Sequence, residues 1–394
     1  MKMTDAIIAS NMKPITGSAI RDVFKLMGKP GMISFAGGNP SDSALEPDVV
    51  GEIAVDVLKK YGTKLLQYGG TEGLASLRES TASFLKSCGV NAAPEQILPT
   101  QGSTQAFDLL LKAVIEPGDT ILAESPTFLG ALQTMNIYGA HIVAIPTDEN
   151  GVIPEAAEEL IKKHQPKIMY IIPTFQNPTG ITLSAERRPK LAKLANQYGV
   201  ILAEDDPYRD LRYAGEALPA IKTYDENDWV VYLSSYSKLI SPGMRVGCAV
   251  VTNEMLMRKM IIGKQSSDVH SPLLNQAIVD EYIRRGLLGP HIERICKNYQ
   301  KQLQAMLDGF EAFPAGTAHT VPEGGLFVWA ALPEEMNARD VLRRAIDKSV
   351  AFVPGTFFYP AGGHENTLRL NFSNAEVPDI VKGMAALAQA IREG

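Results

Sequence analysis

The 394-residue sequence predicts an α/β fold: a mainly parallel sheet sandwiched by helices in a large domain, joined to a smaller α+β domain. Three observations predict it. Short β-branched runs alternate with helix-length segments through the middle of the chain. After about residue 255 the pattern changes to long helices with few strands. The length also exceeds the roughly 250–300 residues at which single hydrophobic cores stop growing.

Taken in order, the first 47 residues hold a helix-length stretch, Ser18–Gly28, and the run Ala36-Gly37-Gly38-Asn39-Pro40, and are expected to join the small domain. Residues 48–285 form the expected large domain. Its strand candidates are Thr120–Ala123, His141–Ile145, Lys167–Ile172, Val200–Ala203, Val230–Leu233 and Val246–Val251, each apolar and rich in residues that favour a pleated surface. Helix-length segments lie between several of them, such as Ser184–Tyr198 with Ser184 as N-cap. Residues 286–394 form the expected small domain. Long helical stretches run through Ile278–Phe313, strands follow at Leu326–Ala330 and Leu368–Phe372, and a terminal helix starts near Pro378. In open parallel sheets ligands bind beyond the carboxyl ends of the strands, so the residues that follow each strand are the ones to inspect for chemistry.

Composition removes several classes of function. Hydrophobic residues make up 45% and charged residues 21%, an ordinary globular balance. A net charge of −6 with no Lys/Arg-rich run argues against a nucleic-acid partner. Cys88, Cys248 and Cys296 are far apart and outside any C-x-x-C, so neither a disulfide framework nor a metal site is expected. No apolar run approaches the roughly 20 residues that span a bilayer. The N-terminus lacks the basic and apolar regions of a signal peptide, and a cytoplasmic location is expected. A Rossmann dehydrogenase is excluded because no G-x-G-x-x-G follows a first strand.

The strongest local motif is Ser234–Gly247, SSYSKLISPGMRVG. Lys238 follows a strand, at the place of a ligand crevice. Burial or neighbouring cations would lower its pKa and make it a nucleophile toward carbonyls. Ser235, Ser237 and Arg245 offer hydroxyls and a guanidinium, a set suited to a phosphate dianion. A solvated loop lysine is the alternative for the S-x-S-K fragment taken alone. Gly102-Ser103-Thr104-Gln105 opens a helical run, where free backbone amides either cap the helix or hold an anion. Asn177-Pro178-Thr179-Gly180 is a turn after a buried strand. Glu204-Asp205-Asp206-Pro207-Tyr208 is an acidic turn after another, and nothing local separates Asp205 from Asp206. Arg369 interrupts an apolar strand, either as an edge residue facing water or as a buried residue with a partner.

These motifs together resemble fold-type I pyridoxal-phosphate enzymes, specifically class I/II aminotransferases, from about Ile20 to the end of the chain. The branch most similar contains the kynurenine/α-aminoadipate aminotransferases and the aminotransferase-like domains of MocR regulators. The resemblance implies that Lys238 carries the cofactor as a Schiff base and serves as general acid and base. It implies that Asn177 and Tyr208 bind the cofactor's ring oxygen and that Asp205 faces its pyridine nitrogen. Ser103, Thr104, Ser235, Ser237 and Arg245 would hold its phosphate, and Phe128 would stack on its ring. Arg369 would clamp the substrate α-carboxylate beside Asn177 and Gly38, with Arg21 in a segment that closes over the substrate. Tyr68, in Leu66-Gln67-Tyr68-Gly69, would reach the cofactor phosphate of a neighbouring subunit, which implies a homodimer with shared sites.

The implied reaction is a ping-pong transamination between an L-amino acid (aromatic, 2-aminoadipate or other) and a 2-oxo acid such as 2-oxoglutarate. Two alternatives remain. The same fold and cofactor support elimination and other lyase reactions, because neither fixes which bond breaks. A ligand-sensing domain of the MocR kind would need a DNA-binding module, and only about 15 residues precede the Ser18–Gly28 helix.

Overall fold

The computed structural model describes residues 7–13 and 31–393. Seven strands build the central sheet: β1 (Ile97–Thr100), β2 (Thr120–Glu124), β3 (His141–Ile145), β4 (Ile168–Ile171), β5 (Ile201–Asp205), β6 (Val230–Ser235) and β7 (Gly247–Val250). Their order is β1-β7-β6-β5-β4-β2-β3. All neighbours from β6 to β3 are parallel, whereas β7 runs antiparallel to both β6 and β1. The α/β architecture expected from the alternating pattern is the one observed. Sequence reading missed β1, whose four residues include Pro99 and lie at the sheet edge, where a strand tolerates proline.

Helices α1 (Pro47–Tyr61), α2 (Ala75–Lys86), α3 (Ser103–Val114), α4 (Leu129–Ile137), α5 (Pro154–His164), α6 (Arg187–Tyr198), α7 (Glu254–Asp268) and α8 (Leu273–Arg284) accompany this sheet. Adjacent strand residues point to opposite faces, which divides the core in two. Ile121, Ala123, Tyr170, Ala203, Val231 and Leu233 pack with Phe107 and Leu110 of α3. Leu122, Met169, Leu202 and Val230 pack with Ile161 of α5 and Leu191 and Ala195 of α6 on the other face. Both faces are covered, so the strands read as unbroken apolar runs rather than alternating ones.

The rest of the described chain carries α9 (Leu288–Gly309), α10 (Ala338–Asp347) and α11 (Val377–Arg392) around a second sheet. This sheet comprises β8 (Ala318–His319), β9 (Phe327–Ala331), β10 (Val353–Pro354) and β11 (Thr367–Asn371), antiparallel in the order β8-β9-β11-β10. Ile33–Ser34 pairs in parallel with Val350–Ala351 and so ties residues early in the chain to this region. The helical stretch expected over Ile278–Phe313 is divided at Gly286, which adopts a left-handed φ of 69° between α8 and α9. Ser184 is not the N-cap expected of it. Its hydroxyl is buried without a partner, and α6 starts three residues later at Arg187. The Ser184 amide is held instead by the Asn150 carbonyl at 3.1 Å, which keeps this stretch in a loop. The helix expected over Ser18–Gly28, and Arg21 with it, lies outside the described residues.

Candidate active site

The parallel strands β2, β4, β5 and β6 deliver their following residues to one edge of the sheet, and β11 of the second sheet faces that edge. A cleft of about 380 Å³ lies between them. Gly38, Ser103, Thr104, Phe128, Asn177, Asp205, Tyr208, Ser235, Ser237, Lys238, Arg245 and Arg369 all line it. Two of the residues singled out in the sequence are not among them. Arg21 is outside the described residues. Tyr68 is 79% exposed and away from the cleft of its own chain, its ring set edge-on to His270 at 6.0 Å.

Lys238 follows β6 with its amine on the Gly38 carbonyl at 2.6 Å. Burial, with the charges of Arg245 and Arg369 adding to it, brings the amine down to about 8. A lysine in this setting carries a substantial neutral, nucleophilic fraction near neutral pH. The solvated-lysine reading does not describe it.

Asp205 is the last residue of β5 and Asp206 follows it. Strand alternation separates the two carboxylates that sequence could not. Asp205 turns into the cleft, where one oxygen accepts the Tyr170 hydroxyl at 2.6 Å and the other, Oδ1, has no partner. Asp206 turns away, toward Tyr232 at 3.5 Å and Arg209 at 3.9 Å. Burial pushes the Asp205 carboxyl up to about 6, against the Tyr170 hydrogen bond and, after it, the nearby Ser103 hydroxyl, which pull it down. A buried carboxylate oxygen without a donor costs free energy that a cationic N–H in the cleft would recover.

One end of the cleft is built for an anion. Gly102 N-caps α3 without a side-chain hydrogen bond, which leaves the first-turn amides free to face a ligand. Arg245 lies beside this turn, donating to the Gln101 carbonyl at 2.8 Å and to Ser237 Oγ at 3.2 Å. Ser237 and Ser235 share a hydrogen bond at 2.9 Å. The approach is too close for side chains: Gly102 has φ of 84° and a Cβ there would lie 2.6 Å from Arg245 Nη2.

Arg369 occupies the middle of the second sheet, between Trp329 of β9 and Val353 of β10, so it is not the water-facing edge residue one reading allowed. It is 5% exposed and lies over the Phe327 ring at 4.2 Å. Its two terminal nitrogens donate to Asn177 Oδ1 at 2.8 Å and to the Ala36 carbonyl at 2.6 Å, and Nε has no partner. Burial lowers its pKa to about 10, which still leaves it charged at neutral pH. Asn177 in turn donates to Tyr208 Oη at 3.3 Å. Gln176 fixes the turn that carries Asn177, accepting from the Thr179 amide at 2.9 Å and donating to the Pro126 carbonyl at 2.8 Å.

Sequence reasoning missed Tyr170, Gln176, Phe327 and Phe358. Tyr170 left one trace: a hydroxyl inside the apolar run IMYI of a doubly covered strand must find a partner. The orphan oxygen of Asp205, the anion-binding end and the depressed Lys238 amine fit the ring nitrogen, phosphate and aldehyde of pyridoxal phosphate. Among the described residues no cluster able to hold a metal ion occurs, and no helix is long and apolar enough to cross a membrane.

Comparison with known proteins gives the same picture. An aromatic-amino-acid aminotransferase of Thermococcus litoralis is 40% identical over 383 residues, which cover 95% of this chain and 92% of that one. The solved structure of Pyrococcus horikoshii kynurenine aminotransferase, in complex with PMP, superposes with a TM-score of 0.94 at 38% identity, covering 99% of this chain and 98% of that one. The α-aminoadipate aminotransferase of Thermus thermophilus, complexed with N-(5'-phosphopyridoxyl)-L-leucine, gives 0.91 at 36%, again covering 99% and 98%. Residues 30–386 match the family model of aminotransferase class I and II, and with the cleft described above this establishes that the chain belongs to the class I and II aminotransferases.

Proposed function

We propose that this protein is a pyridoxal-phosphate-dependent aminotransferase with broad L-amino-acid donors, aromatic side chains and 2-aminoadipate included, and 2-oxoglutarate as an acceptor. The observation that carries this reading is the convergence of Lys238, Asp205 and Arg369 on one cleft from two sheets. Bound there, pyridoxal phosphate supplies an electron sink for charge that develops at the substrate Cα. Lys238 anchors the group and moves the proton at Cα, a role suited to an amine titrating near neutrality. Asp205 Oδ1 holds a proton at the ring nitrogen. Asn177 and Tyr208 orient the ring oxygen, and Phe128 covers the ring face. Arg245, Ser235, Ser237 and the start of α3 hold the phosphate. Arg369 grips the substrate α-carboxylate, a task suited to a planar fork of donors. Gly38 bounds the same subsite. Arg21, from the segment outside the described residues, is assigned to closure over the substrate.

The same reading assigns residues 48–285 to a large cofactor domain, and 1–47 with 286–394 to a small one. The two separate sheets support this division. It also assigns a homodimer in which Tyr68 completes the partner's phosphate site. In support, Tyr68 is exposed together with Leu66 at 71% and Ile262 at 58%. Three unpaired cysteines suit a cytoplasmic location.

Lys238→Ala should abolish transamination across a panel of amino donors assayed with 2-oxoglutarate. Turnover at the wild-type rate would overturn the assignment. Release of ammonia and pyruvate without an oxo-acid acceptor would favour elimination. Mixing Lys238→Ala with Tyr68→Ala tests the shared site. Hybrid dimers regain one intact site only if Tyr68 serves the partner, and no regain refutes that arrangement.

A further inference from the structure

Behind the anion-binding end of the cleft lies a charge pair, Lys264 buried and Asp268 partly so, that does not itself line the cleft. Lys264, one turn before the C-terminal end of α7, is 0% exposed. Its amine donates to Asp268 at 2.8 and 3.0 Å, to Gln105 Oε1 at 3.1 Å and to Ser271 Oγ at 2.9 Å. Asp268 Oδ2 also accepts Gln101 Nε2 and Gln105 Nε2, each at 2.7 Å. Gln105 Oε1 accepts the Gln101 amide at 2.8 Å, and the Gln101 carbonyl accepts Arg245 at 2.8 Å. The links are thus continuous from Lys264 to Arg245 and pass through the residue that precedes Gly102, Ser103 and Thr104.

Stability alone does not account for this arrangement. Taking the Lys264 charge out of water is costly, and well-packed apolar residues of similar volume often do as well or better. The pair does what an apolar pair cannot: it presents fixed donors and acceptors to both glutamines, which hold the turn from two sides. Outer groups that orient direct ligands commonly decide how well a site binds.

We propose that Lys264 and Asp268 are positioning residues for the cofactor phosphate, acting through Gln101 and Gln105 to set the first-turn amides of α3 and the Arg245 guanidinium around a dianion. This rests on reading the cleft as the pyridoxal-phosphate site. The test compares dissociation constants of cofactor-depleted protein for pyridoxal phosphate and for pyridoxal, which lacks the phosphate. Asp268→Asn and the double replacement Lys264→Met/Asp268→Leu should weaken pyridoxal phosphate about ten-fold or more, by the scale of other outer-shell losses, while pyridoxal stays within about two-fold. General loosening of the fold would weaken both equally and would overturn the proposal, as would an unchanged preference for the phosphorylated form. Should the charge-pair variants not fold, Gln105→Leu leaves the pair in place, removes the link and is read by the same criterion. Arg245→Met serves as the control. If it too leaves the preference unchanged, the reading of the cleft fails and the inference with it. If it lowers the preference and the others do not, the inference alone fails.

Discussion

The depressed pKa of Lys238 leads to a prediction that can be worked through in numbers. A free lysine side chain titrates at 10.5, and burial in the cleft, reinforced by Arg245 and Arg369, brings this one to about 8. At pH 7 its neutral fraction rises from about 0.03% to about 9%, roughly 300-fold, by the ordinary titration relation. The same shift is a statement about stability. The folded pKa lies below the unfolded one, so between pH 8 and 10.5 the unfolded chain binds more protons. The cost of burying the charged amine is therefore fully present below pH 8. It is relieved as pH rises through that window, by about 3 kcal/mol at 1.36 kcal/mol per pKa unit. The assay is a timed pulse of 1-fluoro-2,4-dinitrobenzene on cofactor-depleted enzyme, with the Lys238 peptide quantified by mass spectrometry from pH 6 to 11. Its labelling rate should rise with a midpoint near 8. Arg245→Met should move the midpoint only part of the way toward 10.5, because burial is the larger cause. A wild-type midpoint above 10 would refute the reasoning, since it would mean that the amine is solvated.

Three other perturbations follow from the site. Arg369→Met removes two charge-assisted hydrogen bonds, each worth about 1.5–3 kcal/mol, so kcat/KM should fall at least about 100-fold. Arg369→Lys should restore little of it in steady-state assays, because an ammonium lacks the planar fork. Tyr170→Phe takes away the hydroxyl that holds Asp205 down, and the acid limb of the pH profile should move up by about one unit. An unmoved limb would detach Tyr170 from the chemistry. Burial pushes Glu124 from its ordinary 4.5 up to about 8, so its contribution to stability is whole below about 4.5 and is lost as pH rises from there to 8. Glu124→Gln should melt like wild type at pH 4 and above it at pH 9, and parallel melting curves would exclude a neutral Glu124.

How much of this was legible in the sequence differs from residue to residue. The large sheet was legible because strands covered on both faces must be apolar throughout, and KIMYII and VVYL announce themselves in any context. The edge strand β1 was not, because four residues containing a proline leave no pattern. Motifs that keep their chemistry in one short segment, such as SSYSKL with Arg245, were legible as a phosphate-suited set. By contrast, the charge pair at Lys264 and Asp268 looks like an ordinary i,i+4 pair on a helix. Only the approach of α3 and α7 turns it into a buried brace.

The amino-acid sequence by itself determined the fold class, the family and the candidate lysine, because each is written in local pattern and spacing. Tertiary structure decided which of two adjacent aspartates enters the cleft, because alternation along β5 turns them to opposite faces. It also decided whether Arg369 faces water, because an interior position between β9 and β10 follows from strand order. Packing, too, lowers the Lys238 pKa. An amine loses its proton more readily where water is excluded and two guanidiniums stand near, and that neighbourhood is assembled from segments more than a hundred residues apart.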